Sequence, residues 1–221
     1  METIGGMNVW QLIAIGGPMM WPILLCSVVA AGTIINKLKY FSRIQTDARS
    51  LKNKVFELIK ENKIKEAVEL CDANPSPVAG ILKGGVLKFG CAREEIKEAL
   101  QEVSLLEIPK LEKGLNLLAT IANITPLLGL LGTALGMIVT FYTIQVRTAS
   151  MDPATPGDLA GGIWQALLTT VAGLVVAIPT FAAYNYCVSR VSSFVLEMER
   201  AATELVNFLC QMSESTITNL D

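Results

Sequence analysis

Residues 114–146 read GLNLLATIANITPLLGLLGTALGMIVTFYTIQV, a run of 33 residues without Asp, Glu, Lys or Arg. Two further runs, 3–36 and 159–189, also lack charged side chains, so all 38 charges lie on the other 123 residues. About 20 apolar residues in a helix are enough to cross a bilayer. The three runs therefore predict an all-α integral membrane protein with three transmembrane helices. They disfavour a soluble enzyme, a nucleic-acid-binding protein, a disordered chain and a transmembrane β-barrel.

The side-chain inventory gives little support for catalysis or metal binding. The 221 residues include no histidine, which removes Ser-His-Asp sites and imidazole metal sites. The five cysteines form no CxxC pair and are interpreted as free thiols. We therefore expect no catalytic residue, no metal and no cofactor. The N-terminus has no basic region, so no cleaved signal peptide is expected.

The distribution of basic residues predicts the orientation in the membrane. Residues 37–113 hold 15 of the 18 basic residues, whereas the loop at 147–158 carries Arg147 against Asp152 and Asp158. Loops rich in Lys and Arg remain on the cytoplasmic side. This places 37–113 and the C-terminus in the cytoplasm, and the N-terminus and the 147–158 loop outside.

Helical periodicity and the uncharged runs together predict the domain boundaries. They are an N-terminal interfacial lead-in at 1–17, transmembrane helices at 18–38, 114–146 and 161–188, a cytoplasmic helical domain at 39–113, a periplasmic loop at 147–160 with a helix cap at Asp158, and a cytoplasmic extension and tail at 189–221. The apolar pattern continues from Arg93 into the second membrane run without a turn signal, with a kink possible at Pro109, and from the third run through Phe208. Two membrane helices are thus predicted to extend into the cytoplasmic domain.

The second membrane helix carries a face of small and hydroxyl-bearing residues. Gly129, Thr133, Gly136 and Thr140 follow one another at steps of four, three and four, and Gly132 forms a GxxxG pair with Gly136. Small residues allow helices to approach closely in lipid. Two interpretations stay open: the face packs against another helix, or Thr133 faces a lumen.

The third membrane helix repeats this pattern. Its stripe consists of Ala166, Thr170, Gly173, Ala177, Thr180 and Tyr184. Gln165 and Thr169 lie on a neighbouring stripe, where the amide forms an interhelical hydrogen bond or lines an ion path. Pro126 in the second helix and Pro179 in the third are expected at packing positions. Since no run contains a carboxylate or an ammonium group, a titrating group would have to come from a second subunit.

Three segments resemble a known family. Residues 125–137 read TPLLGLLGTALGM and resemble the second-helix signature of the MotA/TolQ/ExbB proton-channel family. Residues 166–179 read ALLTTVAGLVVAIP and, with Tyr184-Asn185, resemble its third-helix signature, whereas 17–22, GPMMWP, resembles the first helix of ExbB-type members. The resemblance covers nearly the whole chain in order and is strongest to ExbB/TolQ-type biopolymer transport proteins.

The resemblance implies a function and partners. It implies an inner-membrane homopentamer, the stator of a motor, in which the second and third helices line a pore that receives ExbD/TolR-like single-span partners. The partner's membrane aspartate would carry the proton, and a TonB/TolA-like protein would receive the energy. Thr133 and Thr170 match the pore-facing threonines of the family. Gln165 stands where several members have a glutamate, which leaves the coupling ion open.

Two further functions were weighed against the motor subunit. A non-conducting membrane scaffold would use the same helices for packing alone, and a membrane enzyme is disfavoured because no intramembrane acid pair or histidine is present. The basic residues of 37–113 are balanced by 12 acidic ones. We expect them to form solvated helix faces with some contact to membrane lipids and no nucleic-acid site. Within the family, uptake, outer-membrane maintenance and gliding-type motility stay open.

Overall fold

The computed structural model describes residues 16–44, 48–149 and 155–218. Within them the chain forms seven α-helices and no strand. They are α1 (Met20–Ile44), α2 (Ala48–Lys60), α3 (Ile64–Ala73), α4 (Pro77–Val86), α5 (Arg93–Glu112), α6 (Leu115–Ala149) and α7 (Pro156–Thr218). Three helical stretches are long and apolar enough to span a membrane: Met20–Ile44, Arg93–Ala149 and Pro156–Met212. The predicted all-α fold with three membrane helices is confirmed.

The helix that leads into the second membrane run is interrupted, contrary to the prediction of a helix without a turn. Helix α5 ends at Glu112, and α6 begins at Leu115. Between them Gly114 has φ of +85°, a left-handed conformation that glycine adopts without a steric penalty. Pro109, the predicted kink, lies inside α5. The interruption therefore lies one turn later than the proline, at the glycine that follows Lys113.

The third membrane helix continues without interruption, as predicted. Helix α7 comprises 63 residues and contains Pro179 in its interior. Its N-terminus differs in one detail from the prediction, which placed the cap at Asp158. Thr155 is the capping residue: its hydroxyl accepts from the Asp158 N–H at 3.3 Å, and the Asp158 carboxylate accepts from the Thr155 N–H at 3.0 Å. This reciprocal pair is a capping box, with Pro156 at the first helical position.

The chain divides into two compact units. The membrane unit comprises Met1–Ile35 and Gly114–Asn185, and the helical unit comprises Asn36–Lys113 and Tyr186–Asp221. The core of the helical unit consists of large aliphatic side chains that are almost fully buried, among them Ile59, Ile81, Leu82, Ile96, Leu205 and Leu209. In the same unit Phe56 stacks on Phe208 with ring centroids 4.5 Å apart. Burial of this kind is the usual stabilisation of a helical domain in water.

Two predicted features fall outside the described residues. The N-terminal lead-in at 1–17 lies there except for Gly16 and Gly17, and so does the centre of the loop, residues 151–154. The short helices α2, α3 and α4 belong to the helical unit. Ser76 caps α4 by accepting a hydrogen bond from the Ala79 N–H at 3.2 Å, and Pro77 follows it.

Candidate functional site

The backbones of α6 and α7 are in direct contact near the middle of the membrane unit. A Cβ atom on Gly129 would lie 3.0 Å from the Cα atom of Thr170. A Cβ atom on Gly173 would lie 2.8 Å from the carbonyl oxygen of Thr125. Neither position can take a larger residue unless the helices move apart. The two glycines therefore set the distance between the helices.

Towards the N-terminus of α7 the contact continues with small side chains. A Cβ atom on Gly136 would lie 2.9 Å from the Cβ atom of Ala166. Gly132 faces the side chain of Thr169, and Gly162 of α7 faces the side chain of Thr140. Each helix thus presents glycines to small residues of the other helix. The geometry matches the close packing that small residues allow in lipid, where burial of apolar surface gives no net driving force between helices.

The structure shows which residues of the predicted α6 face contact α7. Gly129, Gly136 and Thr140 contact α7, as does Gly132 beside them. Thr133 is half-buried, and its hydroxyl donates to the Leu130 carbonyl of its own helix at 2.6 Å. The Thr133 hydroxyl is thus bonded within α6, and its lumen-facing interpretation stays a prediction.

Hydroxyl groups in the contact donate to backbone carbonyls. Thr170 donates across the pair to the Gly129 carbonyl at 3.0 Å, and Thr169, 2% exposed, donates to the Ala166 carbonyl at 2.7 Å. Thr140 donates to the Gly136 carbonyl at 2.8 Å. Each of these hydroxyls already donates its hydrogen, and its oxygen lone pairs can still accept a hydrogen bond from another donor. They can be buried without an unsatisfied hydrogen.

Gln165 lies at a cavity within the membrane unit rather than in the tight contact. The cavity has a volume of about 350 Å³, and its polar lining includes Thr140, Thr143, Asp158, Gln165 and Thr169. The Gln165 Nε2 atom lies 2.8 Å from the position of a Cβ atom on Gly17, which has φ of +73°. In the described part of the chain no hydrogen bond joins Gln165 to α6, and the choice between an interhelical hydrogen bond and an ion path stays a prediction.

The two prolines differ in how far their side chains are exposed at the helix surface. Pro126 is half-buried inside α6, and Pro179 is exposed inside α7. Each removes one N–H from the helical ladder. Beside Pro179, the Thr180 hydroxyl donates to the Val176 carbonyl at 2.7 Å.

Sequence reasoning missed two members of the contact. Thr125 is fully buried, and its carbonyl oxygen faces Gly173. Gly162 approaches Thr140 so closely that no side chain fits there. Both lie one helical turn from residues that were singled out, Gly129 and Ala166, and extending each stripe by one turn would have found them. In the described residues, no group of three or more Cys, Asp or Glu side chains is arranged to hold a metal ion.

Comparison with known proteins gives a family match over more than half of the chain. Residues 73–200 match the model of the MotA/TolQ/ExbB proton channel family. The matched range includes α5, α6 and most of α7, and thus the whole contact between α6 and α7.

Individual relatives are similar over most of their length. The ExbB-like biopolymer transport protein 3 of Synechocystis sp. is 34% identical over 75% of this chain and 78% of its own. Biopolymer transport protein exbB1 of Vibrio cholerae is 30% identical over 75% of this chain and 73% of its own. The Tol-Pal system protein TolQ of Pseudomonas aeruginosa is 32% identical over 51% of this chain and 53% of its own.

Proposed function

Because the chain belongs to the MotA/TolQ/ExbB proton channel family, we propose that it is the pore-forming stator subunit of an ion-motive-force-driven motor in the cell inner membrane. In this proposal it conducts protons together with an ExbD/TolR-like single-span partner and transmits energy to the cell envelope, for example for transport across the outer membrane. The observation that carries the proposal is the α6–α7 pair, which is uncharged over 114–146 and 159–189 and has hydroxyls along its contact.

The missing charge in the helix pair is what makes a partner necessary. A proton or ion that crosses a bilayer needs a group that binds and releases it, and hydroxyls alone do not hold a charge. An aspartate on the partner's helix would supply that group. Its neutralisation removes a buried charge and changes the surroundings that the partner's helix prefers, and its ionisation on the other side restores them. Each charge that crosses is worth about 2.3 kcal/mol per 100 mV, enough to bias a step of the partner.

The assembly follows from the same proposal. Five copies would surround the partner's helices, with the N-terminus in the periplasm and the C-terminus in the cytoplasm. Thr133 is half-buried, and its hydroxyl bonds a carbonyl of its own helix, so in this proposal its remaining exposed surface faces the pore. Thr170 bonds the Gly129 carbonyl, so its role combines the helix contact with an oxygen that can still accept a hydrogen bond. Gln165 and Thr169 line the cavity beside this region.

Two valine variants test the role of the threonines. Thr133→Val and Thr170→Val keep the side-chain shape and remove the hydroxyl. Thr148→Val is the matched control, because the Thr148 hydroxyl also donates to its own helix, at Ile144, and is exposed. The measurement is proton uptake by proteoliposomes that contain the protein and its co-expressed single-span partner, under an imposed potential. Size-exclusion chromatography checks assembly in parallel.

We expect proton uptake to fall in both variants and to stay unchanged in Thr148→Val, with assembly intact in all three. Thr170→Val also loses an interhelical hydrogen bond, but such bonds are worth only about 0.6 kcal/mol in membranes, and Thr170→Ser should recover uptake. Wild-type uptake in both variants would refute the threonine role. If the wild-type complex takes up no protons in response to the potential, the non-conducting scaffold is the better proposal.

A further inference from the structure

The helical unit contains a pocket at the end of the first membrane helix that is lined by both acidic and basic side chains. The pocket has a volume of about 590 Å³. Its wall brings together α1, α5 and the α3–α4 connection. The charged and polar side chains that matter here are Tyr40, Arg43, Asp72, Lys83, Glu107 and Lys110. We call this the interfacial pocket.

The charges of the interfacial pocket consist of two ion pairs and one additional cation. Lys83 pairs with Asp72 at 2.6 Å, and Lys110 pairs with Glu107 at 2.6 Å. Arg43 is exposed and has no ion pair or hydrogen bond to any residue that the structure describes. Among the described residues, three basic and two acidic groups thus line one cavity, so that Arg43 can bind an anion and the two carboxylates can accept from an ammonium group.

A buried cysteine in the same wall contributes no charge. Cys71 lines the interfacial pocket, and burial raises the pKa of its thiol to about 11. The thiol is therefore neutral at physiological pH, and the charge balance of the pocket is that of the five ionised groups.

The depth of the pocket relative to the membrane follows from helix geometry. The first uncharged run ends at Asn36, and α1 continues as a helix to Ile44. Tyr40 and Arg43 are four and seven residues beyond that end, which is roughly 6 and 10 Å along the axis. The headgroup layer extends roughly 5–8 Å beyond the hydrocarbon on each side. Measured from that end, Tyr40 lies at the level of the lipid headgroups. The Arg43 backbone lies roughly 2–5 Å beyond them, and its side chain leaves the helix tilted toward the N-terminus, which is back toward the headgroups.

From this depth and this charge pattern we propose that the interfacial pocket binds a phosphoethanolamine-type lipid headgroup. The phosphate lies against Arg43, and the ammonium group donates to the carboxylates of Glu107 and Asp72. Arginine suits this role because its planar guanidinium donates two parallel hydrogen bonds to a phosphate. The bound headgroup would join α1 to α5 and to the start of α4 within the helical unit. This goes beyond the proposed motor function, since it needs neither a partner nor a membrane potential.

Lipid binding is measured on purified full-length protein in detergent, without a partner. Dioleoyl phosphatidylethanolamine is titrated in mixed micelles, and the bound fraction is read by native mass spectrometry. Phosphatidylcholine lacks ammonium N–H groups, phosphatidylglycerol lacks the ammonium group, and soluble phosphoethanolamine lacks the acyl chains. Arg43→Gln removes the phosphate ligand. Lys88→Gln is the matched control, because Lys88 is an exposed basic residue of the same unit outside the pocket.

We expect phosphatidylethanolamine to bind more tightly than the other two lipids, and Arg43→Gln to weaken its binding about fivefold. Lys88→Gln should leave binding unchanged. Glu107→Gln should reduce the preference for phosphatidylethanolamine over phosphatidylglycerol. Equal weakening by Arg43→Gln and Lys88→Gln, or no effect of Arg43→Gln, would overturn the proposal. Binding of soluble phosphoethanolamine as tight as that of the lipid would assign the pocket to a soluble phosphate ester instead.

Discussion

The α6–α7 contact and the core of the helical unit bury their residues in different ways. In the membrane unit Gly173 meets the backbone of the facing helix, at the Thr125 carbonyl oxygen and the Gly129 Cα atom. In the helical unit Gly85 meets the end of the Leu205 side chain, which is itself fully buried. One contact is between backbones, and the other is between a backbone and a long apolar side chain.

The difference follows from the surroundings of each unit. In lipid, an apolar side chain gains nothing by leaving the solvent, so helices associate through close van der Waals contact and interhelical hydrogen bonds. In water, the gain comes from the apolar area that is buried. A single chain therefore uses glycine and threonine where it crosses the membrane, and leucine and isoleucine where it forms the helical unit. Removal of side-chain volume should therefore be most costly in the helical unit, and addition of volume should be costly where two backbones meet.

The largest effect is expected when volume is removed from the helical unit. Leu205→Ala deletes a fully buried side chain, and such deletions cost about 2–5 kcal/mol through lost burial and the remaining cavity. The free energy of unfolding is measured by pulse proteolysis in urea on the full-length protein in detergent. Leu87→Ala is the control, since Leu87 is 62% exposed, and should change stability by less than about 0.5 kcal/mol. Similar values for the two variants would contradict the core assigned to this unit.

A smaller effect is expected when side-chain volume is added to the α6–α7 contact rather than removed from a core. Gly173→Ala places a Cβ atom 2.8 Å from a carbonyl oxygen that cannot rotate away, and we expect a loss of about 1–3 kcal/mol. Gly32→Ala is the matched control, because nothing lies within 4 Å of its Cβ position. There alanine should be neutral or stabilising, by up to about 1 kcal/mol of helix propensity. Thermal unfolding followed by circular dichroism distinguishes the two, and equal stability would show that the helices are not in backbone contact.

A double substitution sharpens the comparison. Gly85→Ala should destabilise the wild-type protein, because the new methyl group meets Leu205, and should cost less in the Leu205→Ala background, where that side chain is gone. The expected coupling energy is roughly 1 kcal/mol. No such relief is expected for Gly173→Ala when Thr125→Ala is added, because the contact there is with the Thr125 backbone. The measurement is a double-mutant cycle for each pair, and equal coupling in both cycles would contradict the distinction drawn here.

Much of the fold could be predicted from the distribution of charge. The three uncharged runs located the membrane helices, and the spacing of glycines and threonines located the small face of each. Both patterns are local, because a helix repeats its faces every few residues. The pattern could not show which small residue meets which, since pairing depends on how two helices are set against each other. The pattern therefore grouped Thr133 with Gly129 and Gly136, whereas the structure pairs each of these glycines with a particular residue of α7.

The end of α5 was mispredicted for a related reason. A helix pattern on both sides of Gly114 suggested continuity, but glycine after Lys113 is also a signal for a helix end. Lys37 adds a contact that no local pattern contains. It directly follows the first uncharged run, is 6% exposed and donates to the Leu111 carbonyl at 2.6 Å. That carbonyl lies in the last turn of α5, where the backbone carbonyls have no N–H donor within the helix.

The smallest effect is expected from an ion pair on the surface of the helical unit. Lys52 of α2 pairs with Glu204 of α7, whose side chain is 51% exposed. Solvent and salt screen such pairs, and their side chains lose conformational freedom, so they contribute less than about 1 kcal/mol. A double-mutant cycle with Lys52→Gln and Glu204→Gln, measured by pulse proteolysis in low and high salt, should give a small coupling energy that falls as salt is added. Coupling above about 2 kcal/mol would mean that ion pairs, rather than the burial of Leu205 and its neighbours, stabilise this unit. The contrast between an apolar core here and a glycine contact between α6 and α7 would then be wrong.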